Sequence, residues 1–545
     1  MKVGIPRHPR LTLQQASNLL FKQKINSTTL SKQCHERAIF GEEQLKLNAF
    51  THLLSYDKIL EQAQSSDKRI QQNERLSPLD GIPVTVKANI AVKGLPFTAG
   101  SRILGEYSAA DLNDGYYESP IDAFVVQRLL HDSGAVLIGI TSMDEFGMGS
   151  LGTNVPDKSR IPKSPLPFLA MEERGLVQDD TNELDLPHLS TGGSSSGAAS
   201  SISFGSSLLS IGTDTGGSVR LPSAWNAVVG FKPTYGWMSR HGIIEYASSL
   251  DTVGLIAPSV DCAHLAMNCL LPNHENEMTV NDATSTKLEH LQLLDGNPNL
   301  KGVKIGIPSS FCITETPSYI MDAWEASATY LYEKFDAEIV VLEDDDLSKE
   351  WIKQSLAAYY VLACAEASSN LSRYDGVRYG MNYETPFNYD SAKEFSALEQ
   401  QYGKHRSTFF GDEVIRRILC GNAVLSSDRY HSFYESAAKV RAILSKQFTT
   451  LFREKVDVML VPTSLSSPWD LQKDFKVSAT TKMYENDIMT VPMSLACLPS
   501  ISIPIKCQSN DNAMIGFQIF GPKLGENDVL KVGRSLETMN SRNNK

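Results

Sequence analysis

Between Gly192 and Ser223 the chain reads GGSSSGAASSISFGSSLLSIGTDTGGSVRLPS, with serines and glycines crowded around Asp214 and Arg220. A serine is chemically useful only when something activates it. Ser218 directly follows Gly216 and Gly217, and such a serine can open its hydroxyl to a substrate while nearby N–H groups, unshielded by side chains, point at a developing oxyanion. Ser218 is therefore the candidate nucleophile, with Thr215, Gly216 and Gly217 as the candidate oxyanion donors. A flexible linker or a phosphate-binding loop would share this composition. Against a linker stands the apolar content of the stretch, Ile202, Phe204, Leu208, Leu209 and Ile211, which reads as strand-like. Against a phosphate loop stands the absence of both GxxxxGK[ST] and GxGxxG, and of any lysine between Lys163 and Lys232.

A serine nucleophile needs a base. Histidine, the commonest one, is absent from 189 to 240; His188 and His241 flank the segment and cannot be ranked by sequence. Lysine serves instead where burial or a polar network lowers its pKa from about 10.4 far enough to leave it neutral. The segment DGIPVTVKANI at 80–90 is a turn feeding a β-branched run that ends on Lys87, so this amine emerges from a buried strand. The elements that position these groups follow from pattern. Residues 207–212 read as a short buried strand, and 213–218 as a tight turn.

On these residues the chain resembles the amidase signature family. Every constrained position of that family's signature is matched between Gly192 and Ser223, including Gly192, Gly193, Ser194, Asp214, Gly216, Ser218, Arg220 and Pro222. The resemblance implies a Ser–cis-Ser–Lys triad with Ser218 as nucleophile, Ser194 as the bridging serine after a cis peptide, and Lys87 as base. Two positions depart from the usual pattern: Ala88 stands where an acid commonly follows the lysine, and Ser196 replaces a common glycine. Further blocks resemble one branch of the family, the glutaminase subunits of glutamyl-tRNA(Gln) amidotransferases. They are GAVLIG at 134–139, MDEFGMGS at 143–150, GFKPTYG at 230–236, SRHG at 239–242, ASSLD at 247–251, EASSNLSRYDGVRYG at 366–380 and VIRRI at 414–418. Likeness runs from about residue 11 to the C-terminus.

That branch implies hydrolysis of glutamine, with the ammonia passed to a partner that amidates glutamate on misacylated tRNA. Glutamine recognition needs a cation for the α-carboxylate and an anion for the α-amine. By similarity Arg417 takes the first role and Asp487 the second, with Tyr360 lining the site; Arg416 beside Arg417 is the other arginine that could face the substrate. A salt-bridged helix face is the plain alternative for both arginines. The expected partners are the B subunit of such a complex, with a small third subunit, and Glu-tRNA(Gln) is met mainly through the partner. No cofactor or metal is expected on this chain, ATP and Mg being used by the complex. A free-standing amidase with the same triad is the alternative, and a non-catalytic scaffold a third reading.

With 545 residues, 41% of them hydrophobic and 21% charged, the chain can bury a large core. Helical stretches alternate with strands: 121–132 before 135–140, and 319–335 before 337–342, with later strands at 456–461, 501–505 and 515–519. This predicts an α/β fold, a single large amidase-signature domain with a mixed central sheet covered by helices on both faces. Within residues 1–545 the signature core spans about 60–260 and a C-terminal half about 300–540 completes the sheet and pocket. Residues 156–189, rich in proline and charge, read as a surface insertion, and 272–299 as a polar connection.

The formal charge is −12, from 51 basic and 63 acidic residues, which makes a poor stand-alone nucleic-acid binder. Eight cysteines without CxxC spacing suggest reduced, mostly buried thiols, and no apolar run suggests membrane insertion. Lys2, Arg7, Arg10, Lys22, Lys24 and Lys32 precede the first acid, Glu36. An acid-free basic start of this kind suits mitochondrial import, a cytoplasmic protein being the alternative.

Overall fold

The computed structural model describes residues 6, 11–105, 116–175, 186–271, 291, 298–380, 395–473, 479–507 and 514–540. Its eleven strands among these residues are β1 (Phe50–Leu53), β2 (Pro83–Lys87), β3 (Val136–Thr141), β4 (Leu209–Asp214), β5 (Val229–Lys232), β6 (Thr252–Ala257), β7 (Lys304–Pro308), β8 (Glu338–Leu342), β9 (Val458–Pro462), β10 (Ser500–Lys506) and β11 (Met514–Phe520). They form one sheet in the order β1-β3-β2-β4-β6-β5-β10-β11-β9-β7-β8. It is mixed: β2 runs parallel to β3 and β4, and β7 to β8 and β9, whereas the pairs from β4 through β6, β5, β10 and β11 to β9 are antiparallel. Helices flank it. Because both faces are covered, β2, β3, β4, β6 and β9 are buried at every position, and their sequences do not alternate between apolar and charged residues. The sheet is thus the α/β architecture expected from the alternation of elements.

Several boundaries move. The strand expected at 207–212 lies at Leu209–Asp214, so Thr213 and Asp214 belong to the strand and the turn starts at Thr215. Ile202 and Phe204, expected to be strand-like, lie in a helix, Ser196–Phe204, which ends on Gly205 with φ 78°. That left-handed cap suits glycine and stops the helix before β4. Its small, buried residues let it pack closely on β4, β2 and β3.

The insertion is not simply surface. Its helix Leu166–Glu173 buries Phe168 against Phe40 and Phe204, with ring centroids 5.8 Å from each. Arg37, wholly buried, donates to both oxygens of Glu172 (2.8 and 2.9 Å), to Phe204 O (2.8 Å) and to Pro6 O (2.8 Å). The charge and proline that suggest a loop therefore belong in part to a docked helix, which contains Pro167, Glu172 and Glu173; residues 176–185 lie outside the described ones. So does nearly all of the connection expected at 272–299. Of the eight thiols, Cys34, Cys262, Cys364 and Cys507 are buried, Cys269, Cys312 and Cys497 are partly buried, and Cys420 is exposed; none of them is joined in a disulfide to another described cysteine.

Candidate active site

Parallel strands bring their C-terminal ends to one edge, and ligands in open α/β sheets bind there. β2 and β4 pair with Val86 opposite Ile211, which leaves Lys87 and Thr213 close together as the strands end. The Lys87 side chain is completely buried. Its Nζ donates to Ser194 Oγ (2.8 Å), Thr213 Oγ1 (3.0 Å) and Thr213 O (3.3 Å). Burial pulls its pKa down to about 7, although Asp144, Asp214 and Asp251 work to keep it charged. Ala88 is buried too; its N–H donates to Thr141 O (3.2 Å) and its carbonyl accepts from Ala99 N (3.0 Å). Thr213 and Ser194 orient the lysine with no acid at position 88.

The Gly193–Ser194 peptide is cis. Asp144 shapes its surroundings. The Asp144 N–H donates to Ser194 O (3.2 Å), its carboxylate accepts from Asn154 N (2.7 Å) and Gly152 N (3.2 Å), and a Cβ on residue 193 would stand 1.9 Å from Asp144 Oδ2. Only glycine fits there. The next residue, Ser195, donates its N–H to Ser218 O (3.0 Å), which ties the Ser194 segment to the nucleophile turn.

Ser218 is 7% exposed, and among the described residues its hydroxyl has no hydrogen-bond partner. Nor does any acceptor among them take the N–H of Gly216, Gly217 or Ser218. Three backbone donors are left together at one serine, which is the composition of an oxyanion site. The turn is held from all sides. Asp214 and Arg220, both fully buried, form a bidentate pair (2.9 and 3.0 Å), and Asp214 Oδ2 also accepts from Val219 N (3.1 Å) and Arg220 N (3.3 Å). Burial opposes the Asp214 carboxylate, but the Arg220 guanidinium keeps its pKa below the usual range. Arg220 further donates to Thr490 O, Gln518 Oε1 and Ser494 Oγ. Thr215 Oγ1 donates to Asp251 Oδ1 (2.6 Å), and Thr490 Oγ1 to Gly216 O (2.5 Å). A side chain at 216 would meet Tyr359 Oη at 2.6 Å, and one at 217 (φ 145°) Thr490 Oγ1 at 2.3 Å.

The three residues carried over for substrate recognition come together beside this turn. Tyr360 Oη donates to Asp487 Oδ2 (2.5 Å), and the Arg417 guanidinium lies 5.2 Å from the Tyr360 ring centroid. Arg417 is the inward arginine, its side chain 4% exposed against 45% for Arg416. Its Nε donates to Glu413 Oε1 (2.7 Å) and its Nη1 to Tyr246 Oη. Burial pushes the Asp487 carboxyl up to about 7, against the lowering effect of the Tyr360 hydrogen bond and Arg417. Sequence reasoning misses Asp144, Tyr246, Asp251, Tyr359, Glu413 and Thr490. Asp144, Asp251 and Glu413 lie in or beside the family-like blocks, which is the signal that sequence offers for them.

The amidase family matches residues 40–530. The chain belongs to that family and is one of its enzymes. It is 35% identical over 527 residues to the A subunit of the glutamyl-tRNA(Gln) amidotransferase from Halothermothrix orenii, covering 97% of this chain and 96% of that one. It is 35% identical to the protein of the same name from Lawsonia intracellularis, covering 96% of each. The crystal structure of the corresponding protein from Thermotoga maritima superposes with a TM-score of 0.69 at 27% identity, over 98% of this chain and 95% of that one. A peptide amidase from Stenotrophomonas maltophilia shares the fold at TM-score 0.69 and 21% identity, over 98% of each chain.

Proposed function

We propose that the chain is the glutamine-hydrolysing component of a glutamyl-tRNA(Gln) amidotransferase and that Ser218, Ser194 and Lys87 carry the hydrolysis. The observation that carries this reading is the buried Lys87 amine 2.8 Å from Ser194 Oγ, beside a serine with three unclaimed N–H groups. Neutral Lys87 takes a proton from Ser194 as Ser194 takes one from Ser218. Ser218 Oγ attacks the side-chain amide carbon, and the N–H groups of the 215–218 turn receive the oxyanion. The proton returns through Ser194 to the leaving nitrogen, ammonia departs, and a γ-glutamyl ester remains on Ser218. Water then attacks the ester by the same relay and releases glutamate.

Glutamine specificity rests on two opposite poles across Tyr360, Arg417 for the α-carboxylate and Asp487 for the α-ammonium. The names of the relatives, each the A subunit of such an enzyme, support the role. In this reading the chain has two companions, one resembling the B subunit of such complexes, the other a small third subunit. ATP, Mg and Glu-tRNA(Gln) belong to the partner's half of the reaction, in keeping with a net charge of −12 on this chain. A mitochondrial location is the reading its basic start supports. Lys22, Lys24 and Lys32 lie in or between the folded helices Leu13–Phe21 and Ser27–Glu43, so import would rest on Lys2, Arg7 and Arg10. A C-terminal reporter fusion should enter mitochondria, and remain cytosolic when those three are replaced by acids.

Kinetics of Arg417→Ala separate this reading from a free-standing amidase. Loss of a charge-assisted contact in a desolvated pocket costs about 2–4 kcal/mol, so kcat/KM for glutamine should fall roughly 30- to 1000-fold. A simple amide lacking an α-carboxylate should be little affected. Equal losses on both substrates would make Arg417 a fold residue, and poor glutamine turnover by the unmodified protein would favour the free amidase.

A further inference from the structure

Tyr246 has no role in the chemistry proposed so far, yet it joins Arg417 to the Asp251 carboxylate that holds the oxyanion turn. Its side chain is buried, 3% exposed. Its Oη accepts from Arg417 Nη1, and the guanidinium carbon lies 5.4 Å from its ring centroid. The Tyr359 hydroxyl lies alongside. Among the described residues no acceptor within hydrogen-bond distance takes the Tyr246 phenolic proton. A buried hydroxyl keeps an unclaimed proton at a cost unless a partner arrives.

Its position says which partner. A Cβ built on Gly147 would lie 3.7 Å from Ser194 Oγ and 3.9 Å from Tyr246 Cβ, so only the width of that glycine separates the tyrosine from the bridging serine. The Tyr246 N–H donates to Asp251 Oδ2 (2.9 Å), as does that of Ala247 (3.1 Å), and Asp251 Oδ1 takes the Thr215 hydroxyl (2.6 Å). Asn370 Nδ2 donates to the Tyr246 carbonyl (3.2 Å). One residue is thus fixed to the oxyanion turn through its backbone and to the carboxylate-binding arginine through its side chain.

We propose that Tyr246 is a second donor to the carboxylate of the amino-acid substrate and the residue that holds Arg417 in place for it. The inference rests on the glutamine reading and deepens it: Arg417 supplies the charge, and Tyr246 supplies a directed O–H bond that a substrate without the carboxylate leaves unused. Tyr246→Phe removes that oxygen and keeps the ring under the guanidinium, whereas Tyr246→Leu removes both. Neither change touches the backbone bond to Asp251.

The test is calorimetric binding in the Ser218→Ala background, with the protein purified together with its companion subunits and glutamine present as an unreacted ligand. The probes are glutamine and 4-aminobutanamide, which keeps the amine and amide and lacks the α-carboxylate. Tyr246→Phe should weaken glutamine at least tenfold relative to 4-aminobutanamide, Tyr246→Leu should widen that ratio further, and melting of the Phe variant should stay within about 1 °C of its parent. An unchanged ratio for Tyr246→Phe overturns the assignment while the glutamine reading stands. If the Ser218→Ala parent itself does not bind glutamine, the underlying reading falls and takes the assignment with it.

Discussion

Replacing Asp214 by asparagine tests the scaffold of the catalytic turn. The side chain keeps its shape but loses its charge, and Arg220, completely buried, is left as an unpaired cation facing Thr490 O, Gln518 Oε1 and Ser494 Oγ. The new amide NH2 also confronts donors, since Asp214 Oδ2 accepts from Val219 N and Arg220 N in the parent. Breaking one half of a buried pair costs about 3–5 kcal/mol. With an unfolding entropy of about 2.1 cal/mol/K per residue, 545 residues give roughly 1.1 kcal/mol/K, so a loss of about 4 kcal/mol lowers the melting midpoint by about 3–4 °C. The pH dependence has a fixed sign. The folded-state pKa of Asp214 is depressed, so its contribution is fully present above the ordinary carboxylate pKa and is lost only as pH falls through the lower folded value. The gap between parent and variant should therefore be constant from about pH 5 to 8 and close in strong acid. Calorimetric scans at one rate across that range decide it. A midpoint unchanged at neutral pH, or a gap that varies across the plateau, would refute the claim that this pair holds the turn.

Lys87→Arg should abolish amide hydrolysis although it keeps a positive charge, because a guanidinium stays protonated at any working pH and cannot act as base; near-normal turnover would make Lys87 structural. In the unmodified enzyme kcat/KM for glutamine should rise with pH to a plateau above about 7, as Lys87 loses its proton and Asp487 becomes fully ionised to hold the substrate ammonium. An acid limb at the ordinary carboxylate pKa, about 4, would contradict both assignments. Gly217→Ala should cut kcat at least tenfold, since the new Cβ would lie 2.3 Å from Thr490 Oγ1 at a φ of 145°, and Thr490→Ser, which leaves the oxygen in place, should not relieve it.

What the sequence makes legible is local chemistry. Two glycines before a serine announce a hydroxyl left unpaired beside bare N–H groups, and a β-branched run ending on a lysine announces a buried amine. Both follow from neighbours a few residues apart. The partners that hold them do not. Thr490 reaches Gly216 O across 274 residues and Arg417 reaches Tyr246 across 171, contacts created only when the helices around the C-terminal half close on the sheet. Tyr246 gives no signal in sequence, because a tyrosine beside a turn is ordinary until its neighbours are known. The insertion departs from its expected surface character for a related reason. Its acids imply solvent exposure only if no buried cation awaits them, and Arg37 waits 135 residues upstream of Glu172.

Whether the chain is a glutaminase that feeds ammonia to a partner is decided by one comparison on the purified complex. Ser218→Ala and the unmodified protein are each assayed for conversion of glutamyl-tRNA(Gln) to glutaminyl-tRNA(Gln), with glutamine and, separately, with ammonium chloride as nitrogen donor. One oxygen is removed from a turn whose Asp214, Arg220, Thr215 and Thr490 contacts do not involve it, so the fold should persist. The variant should lose glutamine-dependent conversion and keep the ammonium-dependent one. Substantial glutamine-dependent conversion by the Ser218→Ala complex would show that Ser218 is not the nucleophile that releases ammonia.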